Sequence, residues 1–416
     1  MAYSAFPFPP STPLFPKAEV IEDYLKDYAR TFGLYKHIRF NERVERAEFE
    51  QGTDKWIVQT QSSDKSSCMT YTSDLLLICN GHHNVPRYPR IPGVDAWLTS
   101  NRAAHAMFYR SPDSAPWRME KWNKVLVVGG GPSGQDLVTD FIAKDRIREV
   151  IHSASTFSDQ NQEGVTRRGR LVKLGNVCRG EAEFEGGLVD EGIDFVTFAT
   201  GYEVQFPFLG EKYVQRSRPP SHFPSLQQGV WNTSYGLFPL VRYLFPFSFG
   251  SRKVEKPTLV PPSPTSIFFL GLLVGVVPMP LVEVQARIAL AIFANQVQVD
   301  WELEAREVTA RYENLKALLG EEGAHKGYFR FEPMEQFDYR DKLVEMVDRD
   351  SVRRVQLWER EMYALKEVMR KEWRELEASG EAAEWVQGVG EGKTGSAEDE
   401  WVELMRRVAF RSAVDH

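Results

Sequence analysis

Residues 124–144 carry the clearest chemistry in this sequence. Lys124-Val125-Leu126-Val127-Val128 reads as a buried strand, and it runs into Gly129-Gly130-Gly131-Pro132-Ser133-Gly134. A helical segment, Gln135–Lys144, follows, and Arg148-Glu149-Val150-Ile151-His152 reads as the next strand. Strand, glycine turn, helix and strand in this order make the βαβ unit of a dinucleotide fold. Gly129 permits the tight turn, Gly131 lets the backbone approach a pyrophosphate, and Gly134 allows close helix–strand packing. The helix N-terminus then offers unpaired N–H groups and a positive dipole end to the phosphates. Pro132 sits in the same turn, and Ser133 adds a hydroxyl to the phosphate contacts.

The end of the second strand bears on which nucleotide is bound. An acid there would accept from the ribose hydroxyls of NAD. His152-Ser153-Ala154-Ser155 has none, which favours NADP over NAD. Arg167, Arg168 and Arg170 form the nearest basic cluster. They are expected either to reach a 2′-phosphate from a loop or to form a solvated basic turn.

The elements that must position this turn follow from the rest of the chain. Residues 19–33 have helical spacing, and Ile38–Glu48, Lys55–Gln61 and Ser67–Thr72 alternate as a small antiparallel sheet. Leu75-Leu76-Leu77-Ile78-Cys79 is a continuous apolar run typical of a buried parallel strand, ending on Asn80-Gly81. A second such strand, Asp194–Phe198, ends on Ala199-Thr200-Gly201-Tyr202. Two similar strand ends suggest two related nucleotide-binding halves. Ile267–Val277 is the most hydrophobic stretch. Its eleven residues are too few to cross a bilayer core of roughly 30 Å, so a buried strand is expected. A helix is expected over Leu281–Gln296, strong helicity over 338–378, a flexible linker at Gly388–Ser396 and a last helix at Ala397–Phe410. Val355, Trp358, Met362, Leu365, Met369, Trp373 and Leu376 form a heptad-like stripe. It suits a helix laid on the body or a dimerising coiled coil.

Composition excludes several function classes. The 416 residues carry 42% hydrophobic and 26% charged side chains, a globular balance. Residues 301–416 hold 27 acidic and 19 basic residues, and residues 1–300 hold 31 and 32. The body is balanced and the tail acidic, so a nucleic-acid binder with a basic stripe is not expected. Cys68, Cys79 and Cys178 are isolated. That argues against a disulfide framework and a metal site, and for a reducing, cytoplasmic location. No catalytic triad or carboxylate dyad is evident. His82 and His83 read as turn residues rather than catalysts, and His105 as a brace for the inter-domain linker.

These residues together resemble the flavin-containing monooxygenases, and more closely a fungal, thiol-oxidising type. The turn Val128–Asp136 is similar to the family's NADPH site, and Phe198-Ala199-Thr200-Gly201-Tyr202 to its F-A-T-G-Y strand end. Cys79-Asn80-Gly81-His82 with Pro86 and Ile91-Pro92-Gly93 resembles the strand and linker leaving its flavin domain. His105, Tyr109 and Arg110 fit the later part of its F-x-G-x-x-x-H-x-x-x-Y signature, while Thr99 and Asn101 depart from it. The resemblance runs from residue 1 to about 345. It implies an α/β fold with two Rossmann-like, three-layer ββα dinucleotide-binding domains and a helical C-terminal extension. The expected divisions are 1–116 (FAD domain, first part), 117–225 (NADP domain), 226–345 (FAD domain, second part) and 346–416 (acidic extension). The FAD domain is thus discontinuous. It is also expected to be N-terminally truncated, because the G-x-G-x-x-G that holds FAD in the family does not precede Tyr3–Pro9.

The resemblance implies FAD and NADP as cofactors, and oxygenation of a sulfur or nitrogen nucleophile by O2 through a flavin C4a-hydroperoxide. Gly129, Gly131, Pro132, Ser133 and Gly134 would hold NADP phosphates. Thr200, Gly201 and Tyr202 would line the nicotinamide side, and Val44, Asn80 and Gly81 would touch FAD. Gln285 fits a family flavin contact and equally an ordinary polar helix residue. The alternative from a different class is a catalytically inactive NADP-binding remnant that cannot hold FAD. A pyridine nucleotide–disulfide reductase is disfavoured, because it needs a dithiol near the flavin. An amine oxidase-like flavoprotein would not need the turn at 129–134. No membrane span is expected, and the stripe allows a homodimer through the C-terminal helix.

Overall fold

Val125-Leu126-Val127-Val128 offers no polar face to water, so the strand needs cover on both sides. In the computed structural model it receives that cover. The structure describes residues 2–110, 122–143, 147–156, 164–216, 226, 229–247, 263–347 and 353–411. It divides into two compact units, Met1–Gly81 with Phe206–His416, and His82–Gln205. The breaks fall at 81/82 and 205/206 rather than near 117 and 225. Trp117 and residues 217–225, where the expected boundaries fall, lie outside the described residues.

The unit His82–Gln205 is built on a five-stranded, all-parallel sheet. Its order is Ala103–His105, Phe195–Phe198, Lys124–Val128, Glu149–Ser153, Val165–Arg168. Alternate side chains supply two cores. Leu126, Ile151, Val196 and Phe198 face one side, with Trp97 and Phe184. Val125, Val127, Val150 and Phe195 face the other, with Leu137 and Phe141 of the helix Pro132–Ile142. The first core is roofed by a small antiparallel sheet, Leu171–Leu174, Ala182–Phe184 and Val189–Asp190, and by the helix Val94–Thr99. The result is three layers: antiparallel sheet, parallel sheet and helix. The early boundary at residue 82 follows from this packing. The linker pairs Pro86 with Tyr202, and the Leu174 N–H donates to the Pro92 carbonyl at 2.9 Å.

The other unit holds an antiparallel meander, Glu42–Glu50, Lys55–Ser62 and Cys68–Ser73. Its parallel strand pairings among the described residues join Leu76–Ile78 to Ile267–Phe269 and Val214–Gln215 to Val230–Thr233. The expected strand Ile267–Val277 is therefore short. It stops where Gly271 and Gly275 take φ of 73° and 82°, though Leu270, Leu272 and Leu273 stay buried. Helices follow at Pro278–Phe293, at Trp301–Gly327, which is broken at Gly320 (φ 72°, ψ 176°), and at Glu335–Val344.

The C-terminal stripe is not one helix. It breaks at Leu365 into Leu357–Ala364 and Lys366–Ser379. Met362, Met369, Trp373 and Leu376 are buried against Val386, Leu404 and Val408, with Leu14 and Phe15 packed alongside. The acidic tail thereby closes on the N-terminal segment. Gly388–Ser396 is likewise no slack linker. One carboxylate, Glu400, accepts from the N–H groups of Gly390 (2.9 Å), Gly392 (2.9 Å) and Thr394 (2.8 Å) and from the Thr394 hydroxyl (3.1 Å). These bonds hold the Glu400 carboxyl down to about 2.

Candidate dinucleotide-binding site

The glycine turn ends the central strand of the parallel sheet, and steric contact fixes its shape. Gly129 has φ of 130°, and a Cβ there would lie 2.3 Å from the Ala199 carbonyl oxygen. A Cβ on Gly134 would lie 2.0 Å from the Gly129 oxygen. Both positions exclude any side chain, as the spacing predicts. The Gly129 N–H donates to Ser153 O at 2.8 Å. Its carbonyl accepts from His152 Nε2 at 2.9 Å. His152 is 5% exposed, so this bond sits in a protected setting. The sequence at the strand end shows that an acid is missing, but it does not show the anchoring role of His152. Local pattern carries no signal for a bond that crosses between strands.

Gly131 differs from its neighbours. It has φ of −79° and ψ of 177°, which any residue adopts, and no atom lies within 4 Å of where its Cβ would be. Open space rather than backbone strain marks this position. Pro132 occupies the first helical position, where the missing N–H costs nothing. No hydrogen bond among the described residues engages the Gly131 or Ser133 N–H. The turn therefore presents two amides, the Ser133 hydroxyl and a helix dipole to open space, a fit for a pyrophosphate.

At the second strand, Ser153 donates its hydroxyl to Gly169 O at 2.8 Å. Only Arg170 of the basic cluster lies outside the edge strand. Arg167 and Arg168 lie on the edge strand, in register with His152 and Ser153. Arg168 is held by Asp190 through two bonds of 2.7 and 3.0 Å. Arg170 is exposed.

The Thr200-Gly201-Tyr202 end is tied down within the same unit. Arg87 donates to Thr200 O through Nε (3.1 Å) and Nη2 (2.9 Å), and the Thr200 hydroxyl donates to Arg87 O. Gly201 O accepts from the Arg87 N–H at 3.0 Å and from His105 Nε2 at 2.9 Å. His105 Nδ1 accepts from the Met107 N–H at 3.1 Å. These two bonds set the neutral Nε2–H tautomer. Burial at 1% exposure pulls the His105 pKa down. Tyr88 and Tyr202 meet its ring edge-on. His83 packs on His82 and Tyr202, and burial lowers its pKa as well.

Four candidate residues belong to the other unit. Val44 is 38% exposed at an irregularity of the meander's register. Asn80 and Gly81 are exposed just after the strand Leu76–Ile78. Gln285 is fully buried. Its carbonyl accepts from the Gly271 N–H at 2.9 Å, and its amide donates to the Tyr339 hydroxyl at 3.0 Å. Protein partners thus engage both ends of that side chain. Gly390-Glu391-Gly392-Lys393-Thr394-Gly395 also spells G-x-G-x-x-G. It follows a helix instead of a strand, and Glu400 already takes its amides, so it does not fit a dinucleotide.

The turn, the linker and the fold match known proteins. The family described as "FMO-like: Flavin-binding monooxygenase-like" matches residues 1–158. The chain is 29% identical over 355 residues to "Flavin-containing monooxygenase FMO GS-OX-like 2" of Arabidopsis thaliana, covering 82% of this chain and 65% of that one. It is 26% identical over 303 residues to the "Thiol-specific monooxygenase" of Saccharomyces cerevisiae, covering 72% and 63%. The chain thus spans less than two thirds of the length of these relatives. Among solved structures, S-allyl-L-cysteine S-oxygenase from Allium sativum superposes with a TM-score of 0.66 at 22% identity, covering 99% of this chain and 82% of that one. Tmm from Pelagibacter sp. strain HTCC7211 gives 0.62 at 18%, covering 91% and 73%. The glycine turn at 129–134 lies within the residues that match the flavin-binding monooxygenase-like family, and over most of its length the chain is similar to flavin-containing monooxygenases.

Proposed function

We propose that this chain is an NADPH- and FAD-dependent monooxygenase acting on a soft nucleophile, with sulfur favoured over nitrogen. The observation that carries the reading is the glycine turn, with its open face at Gly131 and its closed faces at Gly129 and Gly134. Bound NADPH would supply a hydride, and bound FAD would pass its electrons to dioxygen. The protein's part is to bind and orient. Gly131 N–H, Ser133 N–H and the Ser133 hydroxyl donate to the pyrophosphate, with Gly129, Pro132 and Gly134 shaping the turn. His152 keeps the Gly129 carbonyl bonded within the sheet and away from those anions. With no acid at the strand end, Arg167 and Arg170 supply the cationic side that a 2′-phosphate needs, which favours NADP over NAD. Arg87 and His105 hold Thr200, Gly201 and Tyr202 for the nicotinamide side. Val44, Asn80 and Gly81 are exposed for FAD, whereas Gln285 serves its own helix packing. The names of the yeast relative and the Allium enzyme support a sulfur substrate. Scarce, isolated cysteines support a cytoplasmic location. A homodimer through the C-terminal helix gains no support, because the stripe that would carry it is buried within the chain.

A second reading has its own observation. Among the described residues the sheet of Leu76–Ile78 and Ile267–Phe269 is two strands wide, and Leu77 is 36% exposed. Such a sheet supports a chain that holds NADP but retains no FAD. Purification separates the two. Protein that keeps flavin absorbance after gel filtration, and oxidises NADPH faster when a thiol is added, supports the monooxygenase. Colourless protein that binds NADPH but stays apo with excess FAD overturns it in favour of the remnant.

A further inference from the structure

A cavity of about 400 Å³ lies in the unit that contains the C-terminus, lined by the helices Trp301–Gly327 and Glu335–Val344. It shares no residue with the glycine turn, and the proposed function does not use it. Tyr243, Tyr328, Phe331 and Tyr339 give it aromatic walls. Its cations are all committed. Arg242 reaches Glu304 Oε1 through two nitrogens at 2.8 and 2.7 Å. Arg311 donates to the carbonyls of Tyr328 and Arg330 at 3.1 Å each and pairs with Glu335. Lys342 Nζ stands 3.7 Å from Glu307.

The uncommitted groups are of one kind. Glu304 is 3% exposed, and its Oε2 has no hydrogen-bond partner among the described residues. Burial works against the Arg242 pull and raises its pKa. The Tyr243 hydroxyl makes no hydrogen bond among the described residues either. A buried carboxylate oxygen without a partner is rare enough to require an explanation. It accepts only, so what completes it must donate. Acidic side chains outnumber basic ones around the cavity by four to three, and aromatic faces attract cations. An anion would find no free guanidinium here.

We propose that this cavity binds a small organic ammonium ion, whose N–H donates to Glu304 Oε2 with the Tyr243 hydroxyl as second partner and the aromatic rings as walls. The full-length chain, titrated with benzylammonium chloride in a calorimeter, should show saturable one-site binding. Benzyl alcohol should bind about tenfold more weakly, since hydrogen bonds to charged groups are the stronger ones, and benzoate should not bind. Tyr243→Phe should weaken binding by a few-fold with the fold retained. Glu304→Gln should weaken it by about tenfold or more. That variant leaves Arg242 without its partner charge, so circular dichroism must accompany it. If it does not fold, Tyr243→Phe and the ligand series decide. No saturable binding to the wild type overturns the proposal. So does equal affinity for benzyl alcohol or benzoate, or unchanged affinity in Tyr243→Phe and in folded Glu304→Gln.

Discussion

The two units each contain a parallel pairing that ends in a glycine, and they differ in how far it is covered. Phe195–Phe198 sits inside five parallel strands, with all four of its residues buried. Leu76–Ile78 has one parallel neighbour among the described residues, and only Ile78 of its three residues is buried. Leu76–Ile78 is apolar throughout, and Phe195–Phe198 carries one polar residue, Thr197. What differs is how many strands and layers stand around them. Parallel strands bury both faces only when both are roofed, and the roofed unit is also the one whose turn is sterically closed. The strand end at Thr200-Gly201 is fixed by Arg87 and His105 from within its own unit. Asn80-Gly81 stands exposed. The lesson is that a nucleotide turn depends on its whole sheet, since the atoms that shape Gly129 come from Ala199 and Ser153 on the neighbouring strands.

That contrast can be broken by substitution. Gly134→Ala puts a methyl 2.0 Å from the Gly129 oxygen. It should cost about 4 kcal/mol or more, through backbone displacement in a packed site, and remove NADPH binding; thermal unfolding with a binding titration checks both. Leu126→Ala, at a fully buried position, should cost about 2–5 kcal/mol. Leu77→Ala should cost under about 1 kcal/mol, as partly exposed positions do. Equal losses in urea unfolding would erase the difference between the sheets. His152→Ala leaves the Gly129 carbonyl unpaired and should cost about 1–3 kcal/mol, with a raised KM for NADPH. The smallest effect concerns pH. His105 has a folded pKa below its unfolded value, so the unfolded chain binds the extra proton first. Its contribution is complete above the unfolded pKa of about 6.5 and is lost as pH falls below it. His105→Gln should flatten the stability profile between about pH 7 and 5, and an unchanged slope contradicts the assignment.

The glycine turn was legible because its demands are local. Strand, tight turn and helix are written in consecutive residues, and the structure keeps all three. The meander and the helix Pro278–Phe293 were legible from periodicity for the same reason. What sequence could not convey depends on distant partners. Gln285 reads equally as a flavin contact and as a polar helix residue until Gly271 and Tyr339 are seen to take its amide. Arg167 and Arg168 read as a basic turn, yet they pair in register with His152 and Ser153. Gly388–Ser396 has a linker's composition, and only the Glu400 carboxylate orders it. The helix Trp301–Gly327, which brings Glu304 to its cavity, went unread. Its signal was present in Asp300, whose side chain accepts from the Leu303 N–H at 3.0 Å, followed by Glu302 and Glu304 in the first turn.

Gly131→Val tests the central claim most directly. Position 131 has ordinary backbone angles and free space around its Cβ, so the variant should fold with the wild-type melting temperature. The added side chain fills the space assigned to the pyrophosphate. By calorimetric titration, NADPH should bind the wild type saturably and bind Gly131→Val at least about tenfold more weakly, a difference of about 1.4 kcal/mol. Wild-type affinity in a folded Gly131→Val protein, or no NADPH binding by the wild type, would contradict the account.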